Sequence, residues 1–162
     1  MASTPKVHAH RIDDARWVGS SFNGAGAAYE GGRWNSAGVR VVYGSQHLAM
    51  AASEKYVHLP KPIPPKLEFV AYRINFGHVR IKHVRLEDLP ADWQTMPVPV
   101  STQKLGDAWV ASGETAVMAV PSVLIPDELN FVLNPAHPDF KKIQISSPVP
   151  FLFDPRLASL KT

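Results

Sequence analysis

Between residues 31 and 38 the chain reads Gly31-Gly32-Arg33-Trp34-Asn35-Ser36-Ala37-Gly38, and it continues into the apolar run Val39 to Tyr43. Glycines at both ends let the backbone turn sharply or approach another group closely. A guanidinium set in such a turn is suited to gripping phosphate or carboxylate through two parallel hydrogen bonds. Glu54 follows eleven residues after Tyr43, so a forked cation, aromatic surface and one carboxylate gather in a short span. Any fold open to this chain has to hold that turn in place and bring it toward the segment carrying Glu54.

Composition narrows the classes. At 162 residues, 45% hydrophobic and 19% charged, with no shift in composition along its length, the chain is expected to form a single domain, residues 1–162 with a core over about 7–157. Seventeen Lys and Arg against fourteen Asp and Glu leave a net charge of +3, and Lys141-Lys142 is the single Lys/Arg dipeptide. Scattered basic residues do not indicate a nucleic-acid surface. The lack of cysteine removes thiolate nucleophiles, disulfides and cysteine metal sites together. Met1 to His8 carries no apolar leader, and no apolar run approaches the roughly 20 residues of a membrane span. A cytoplasmic protein that does not engage a membrane is the expectation.

Along the chain, Val7 to Ile12 reads as a first strand with Arg11 near its end, followed by the charged turn Asp13-Asp14. Residues 19–38 hold six of the ten glycines and read as a long, partly ordered loop, and loops of that length in a small domain are usually functional or disordered. Gly38 to Tyr43 is expected to be a strand, with Ser45 capping a helix over 46–58. Leu48, Ala49, Ala52, Tyr56 and Leu59 recur there at helical spacing until Pro60 and Pro62 stop it. Glu54 and His58, four apart, share a face of it.

A proline-rich connector then leads to a strand over Leu67 to Ile74, another over Val79 to Val84, and a helical turn at Leu86 to Leu89. The extended Pro97-Val98-Pro99 follows, then a helix over Ser101 to Ser112. Strands at Ala116 to Val120, Asn130 to Leu133 and Lys142 to Ile145 complete the pattern, the last two joined by the turn Asn134-Pro135-Ala136-His137-Pro138. Strands outnumber helices without regular alternation, which argues for an α+β domain. Trp34, Trp93 and Trp109 read as packing residues.

Several chemistries fail on context. Gly24-Ala25-Gly26-Ala27-Ala28-Tyr29 begins like a dinucleotide fingerprint but lacks the third glycine and the flanking strand and helix. Glu54 with His58 offers two metal ligands where a stable site generally takes three or four, so no metal is expected. No nucleophile elbow is present. What remains is a cationic, aromatic loop facing a helix with a single acid. That set suits cleavage of an N-glycosidic bond whose leaving group departs as a neutral molecule, as nicotinamide does from NAD. The transition state there is oxocarbenium-like and is stabilised by a nearby carboxylate. A non-catalytic module that binds nucleotide or protein through the same loop stays open as the alternative.

The ordered motifs Gly31 to Gly38, Val41-Val42-Tyr43, Ala52 to His58, Val120-Pro121-Ser122 and Asn130 to Pro138 resemble those of the RES domain, over about Arg11 to Leu157. The resemblance implies an ADP-ribosyltransferase-like fold with a mixed β core and flanking helices. It also implies a bacterial toxin that consumes NAD as substrate, with ADP-ribose passing to water, phosphate or a protein. An Xre-like antitoxin is the implied partner. By the same resemblance Arg33, Glu54 and Ser122 match the family's naming residues, Arg11 the arginine of its first strand and Tyr43 the tyrosine closing the next. Arg11 and Arg33 are then expected to hold phosphates or ribose, Tyr43 to stack on nicotinamide and Glu54 to stabilise the oxocarbenium ion. His58 and Ser122 support them, His58 by orienting Glu54, and Gly32, Ser122 and Asn134 join the cofactor-binding set.

Overall fold

The protein, a computed structural model, is described over residues 7–161. The outermost residues of the expected 1–162 domain, and most of the amino-terminal segment expected to lack a leader, lie outside that range. One mixed α/β domain is formed. Its elements in order are β1 (His8–Asp14), α1 (Ala25–Glu30), β2 (Val42–Ser45), α2 (Leu48–Val57), β3 (Phe69–Asn75), β4 (Ile81–His83), α3 (Val100–Ser112), β5 (Val117–Pro121), β6 (Leu129–Leu133), β7 (Gln144–Ile145), β8 (Val149–Phe151) and α4 (Pro155–Ala158). The strands make one sheet in the order β4-β5-β6-β2-β1-β3-β7, with β8 also pairing with β3. Among the described residues only β4 and β5 run parallel; the other pairs are antiparallel.

β5 is apolar and buried at every position because both faces of the sheet are covered. Val117 and Ala119 face one cluster with Ala9, Val42, Ile74, Phe76, Phe131 and Leu133. Met118 and Val120 face another, built on Trp34, Trp93, Trp109 and Val132. The three tryptophans are packing residues, as expected. A third cluster, Ile12, Ala51, Ile63 and Phe69, lies under α2.

Several boundaries differ from the sequence expectation. The loop over 19–38 contains α1, entered at Gly24 and left at Gly31, both with positive φ. A helix therefore does form over the fingerprint-like residues. The strand expected to end at Tyr43 runs instead over Val42–Ser45. Ser45 consequently does not cap α2: it is the last residue of β2, and the N-cap position is His47. Arg11 sits in the middle of β1, not near its end. β8 and α4 follow Pro148 and were not expected at all.

α2 ends where expected. Lys61 folds back so that its Nζ donates to the Tyr56 and Leu59 carbonyls, 2.6 Å each, satisfying groups the helix leaves open. α3 ends on Gly113 in the left-handed conformation, φ 62°.

Candidate active site

The turn carrying Arg33 is held by a buried asparagine. Asn35 is fully buried, and its Nδ2 donates to the carbonyls of Ala27 (2.9 Å) and Val39 (3.0 Å), while its Oδ1 accepts from the Tyr43 hydroxyl at 2.6 Å. Tyr43 Oη in turn accepts from the Trp34 amide at 3.1 Å. Burial pushes the Tyr43 hydroxyl up from its usual pKa, which keeps it a neutral donor. Gly32 lies directly over this ring: a Cβ there would stand 2.7 Å from Tyr43 Oη. Its glycine is therefore required by the fit to Tyr43. Ser36 is tied to α3 by both oxygens of Asp107, at 2.9 Å from its amide and 2.5 Å from its hydroxyl. Gly106, one residue earlier on α3, presses against the turn so closely that a Cβ would lie 1.7 Å from the Trp34 carbonyl oxygen.

Arg33 projects from this turn. Its Nη1 donates to the carbonyls of Trp93 (2.7 Å) and Thr95 (3.1 Å), and its Nη2 lies 3.0 Å from Met96 Sδ. Burial lowers the pKa of the guanidinium, and the charge of Glu54 and the Tyr43 hydroxyl act in the opposite sense.

Glu54 is on α2 and is held from the opposite direction. Its Oε1 accepts from Ser122 Oγ at 2.8 Å and from Asn130 Nδ2 at 2.6 Å. Its Oε2 has no hydrogen-bond partner among the described residues. Ser122 is fully buried and accepts from the amides of Leu124 (3.1 Å) and Ile125 (3.3 Å), so its proton points to Glu54. Ser45 pairs with Asn130 across β2 and β6, and Tyr43 with Val132. Tyr43 and Ser45, two residues apart on one strand, share a face about 7 Å apart. The network holding the Arg33 turn and the network holding Glu54 therefore stand side by side on one face of the sheet.

The remaining expected site residues fall elsewhere or act differently. Arg11 donates Nε to the Ser21 carbonyl (3.1 Å), Nη1 to the Tyr43 carbonyl (3.0 Å) and Nη2 to Asp13 (2.9 Å). β1 and β2 share a single registered pair, His10 with Ser45, and Arg11 joins the two strands beyond it. Its visible role is that of a clamp on Tyr43's strand. Ser122, with no exposed surface, donates to Glu54. His58 is exposed at the carboxy-terminal end of α2 and makes none of Glu54's hydrogen bonds. Asn134 lies at the other end of β6 from Asn130, buried, with its Oδ1 accepting from the Ala136 amide at 3.0 Å. It shapes the 134–138 turn and is not brought to Glu54.

Asn35, Ser45, Gly106, Asp107 and Asn130 are the residues the sequence reading did not assign. Asn35 and Asn130 stand inside the quoted motifs, which is the signal that pointed toward them. Two hollows of about 340 and 380 Å³ lie outside this site; one is lined by Asn75, His78, Asp139 and Lys142, the other by His10, Leu48, Arg73 and Phe151. Among the described residues no group of three or more His, Asp or Glu could hold a metal ion, and no helix is long and apolar enough to cross a membrane.

A turn-borne arginine and a helix-borne glutamate are thus carried on one mixed α/β sheet. The RES domain family matches residues 8–154, and the chain belongs to that family. It is 34% identical over 149 residues to "Toxin Res" of Yersinia enterocolitica serotype O:8 / biotype 1B, covering 91% of this chain and 97% of that protein. It is 36% identical over 147 residues to "Prs ADP-ribosylating toxin" of Sphingobium sp. (strain YBL2), covering 89% and 91%. In fold it is similar to the M. tuberculosis MbcT-MbcA toxin-antitoxin complex, with a TM-score of 0.64 at 16% identity over 90% of this chain and 84% of that one. The last likeness concerns the fold alone.

Proposed function

We propose that the chain is the toxin of a toxin-antitoxin pair and that it binds NAD and breaks its nicotinamide-ribose bond. The observation that carries this reading is the Glu54 carboxylate, fixed through Oε1 by Ser122 and Asn130 and left with a free Oε2 on the face shared with Arg33 and Tyr43. As nicotinamide leaves, positive charge grows on the ribose ring, and a carboxylate already in place stabilises it without reorganising. Arg33 meets the pyrophosphate, and Tyr43, held through its hydroxyl, offers its ring to the nicotinamide. The ADP-ribose then passes to a protein, to phosphate or to water. The name of the Sphingobium relative, an ADP-ribosylating toxin, supports the transfer of ADP-ribose.

Incubation of the purified chain with NAD, followed by chromatography for free nicotinamide and mass spectrometry of the second product, tests the reading. Nicotinamide accumulates if it holds; NAD that is bound but unchanged indicates the non-catalytic module instead. An antitoxin of the Xre-like class that covers this face is the expected partner. Expression of the chain alone then arrests growth and lowers cellular NAD, and the antitoxin restores both.

A further inference from the structure

We infer that Asn130, oriented by Ser45, is a positioning residue that divides the work of the two Glu54 oxygens: Oε1 is the anchored oxygen, and Oε2 alone acts on the substrate. The inference rests on the functional reading above and deepens it. Ser45 is buried at the end of β2, and its Oγ donates to Asn130 Oδ1 at 2.7 Å. A hydroxyl donating there requires the amide to present oxygen to Ser45 and nitrogen to Glu54, since only Nδ2 carries protons. Asn130 Nδ2 then donates to Glu54 Oε1 at 2.6 Å. Ser122, whose Oγ already accepts from two amides, donates to the same oxygen at 2.8 Å. Every donor in the chain is thus turned one way. Two donors on one carboxylate oxygen hold that oxygen in place.

The arrangement joins three parts of the molecule. Ser45 comes from the strand after the Arg33 turn, Asn130 from β6 and Glu54 from α2, separated by 85 and 76 residues in sequence. The strand that carries Tyr43 therefore also sets the orientation of the carboxylate.

Asn130→Asp tests this sharply, because it keeps the shape and removes the donor. An ionised Asp offers only acceptors, and two carboxylates at hydrogen-bond distance repel, so Glu54 leaves its position or takes a proton. The expected result is a fall in kcat on the order of a hundredfold with KM for NAD unchanged. Asn130→Ala, which removes the donor without adding a charge, is expected to retain more activity than the Asp variant. Ser45→Ala frees the amide and lowers kcat less, and Ser45→Thr restores it.

A purely structural role predicts the reverse order, with the isosteric Asp closest to the parent. Parent-like kcat in Asn130→Asp, or losses that fall on KM, overturn the proposal. The side-chain amide resonance of Asn130 in the ¹⁵N-labelled protein gives a readout independent of turnover. It shifts on Glu54→Ala and on Ser45→Ala if the relay exists, and an unmoved resonance in both overturns the proposal. A parent chain that leaves NAD intact refutes the functional reading, while this resonance still decides the relay.

Discussion

The turn that carries Arg33 and the helix that carries Glu54 are anchored to the same strand, the turn through Tyr43 and the Glu54 carboxylate, by way of Asn130, through Ser45, yet they are held by different kinds of contact. The Arg33 turn depends on shape and on buried polar groups: Asn35 with no exposed surface, Gly32 over the Tyr43 ring, Gly106 against the Trp34 carbonyl. Glu54 stands on a regular alanine-rich helix that packs its own Ala51 against Ile12, Ile63 and Phe69, and only its carboxylate is tied to the rest of the site. The turn is thus a structural requirement of the fold, whereas Glu54 is a chemical group placed on a fold that stands without it. Substitutions on the turn side should lower stability first; substitution of the Glu54 carboxylate should remove chemistry and leave stability alone.

Gly106→Ala is expected to have the largest effect. A Cβ 1.7 Å from a carbonyl oxygen of another segment has no flexible neighbour to displace, so α3 and the turn must separate. The cost is about 3 kcal/mol or more, a fall in melting temperature of about 6 to 12 °C, measurable by calorimetry. A melting temperature equal to the parent's would mean that the turn is not braced by α3.

Asn35→Ala comes next. It leaves the carbonyls of Ala27 and Val39 and the Tyr43 hydroxyl without their buried partner. A loss of about 2 to 3 kcal/mol is expected, read from chemical denaturation, with NAD binding weakened as well because the turn carries Arg33.

Arg33→Lys should cost the fold less, about 1 kcal/mol, since an ammonium has to take the place of Nη1, which alone reaches both the Trp93 and the Thr95 carbonyls. Its effect on NAD is larger. Loss of bidentate phosphate contact is expected to raise Kd about tenfold, equivalent to about 1.4 kcal/mol. Titration calorimetry with parent-like affinity would make Arg33 a purely structural residue.

The smallest effect concerns pH. His10 lies beside Ser45 on β1, and its pKa is held below the usual 6.5 first by burial and then by Arg73, His47 and His8. The unfolded chain therefore takes up this proton before the folded one does, and stability falls as pH drops through 6.5. His10→Gln should flatten that part of the profile between about pH 7 and 5.5. A profile identical to the parent's would exclude His10 as its source.

Local pattern accounts for what was legible in advance. The helical spacing of α2, the alternation of β3 and the apolar run of β5 each reflect one dominant face or full burial, so the sequence shows them. The β2 boundary was shifted because Gly38 to Val41, though it continues the valine pattern of the strand, is fastened to Asn35 and α1 as a connection: Asn35 bonds the Val39 carbonyl, and the Gly38 amide bonds Ala28. Ser45 has the residue type of a helix cap, and only the pairing with Asn130 shows it to be the end of a strand.

The two asparagines at the ends of the β6 segment, Asn130 within the strand and Asn134 just past it, make the same point about the site. Asn130 and Asn134 stand in one motif and are equally visible, but Asn130 meets Glu54 across 76 residues of sequence whereas Asn134 turns to an amide two residues away. Which of the two belongs to the site is decided by tertiary placement. Arg33 and Glu54 could be singled out early because charge in a glycine-bounded turn and a lone acid on a helix are local features. Their supports are not.

Glu54→Gln tests the division between the two sides most directly, because its Oε1 still accepts from Ser122 and Asn130 while the charge is gone. The melting temperature should match the parent's, NAD should bind with parent-like affinity in calorimetry, and release of nicotinamide should fall roughly a hundred- to a thousandfold. Nicotinamide released at the parent rate by this folded variant would contradict the assignment of Glu54.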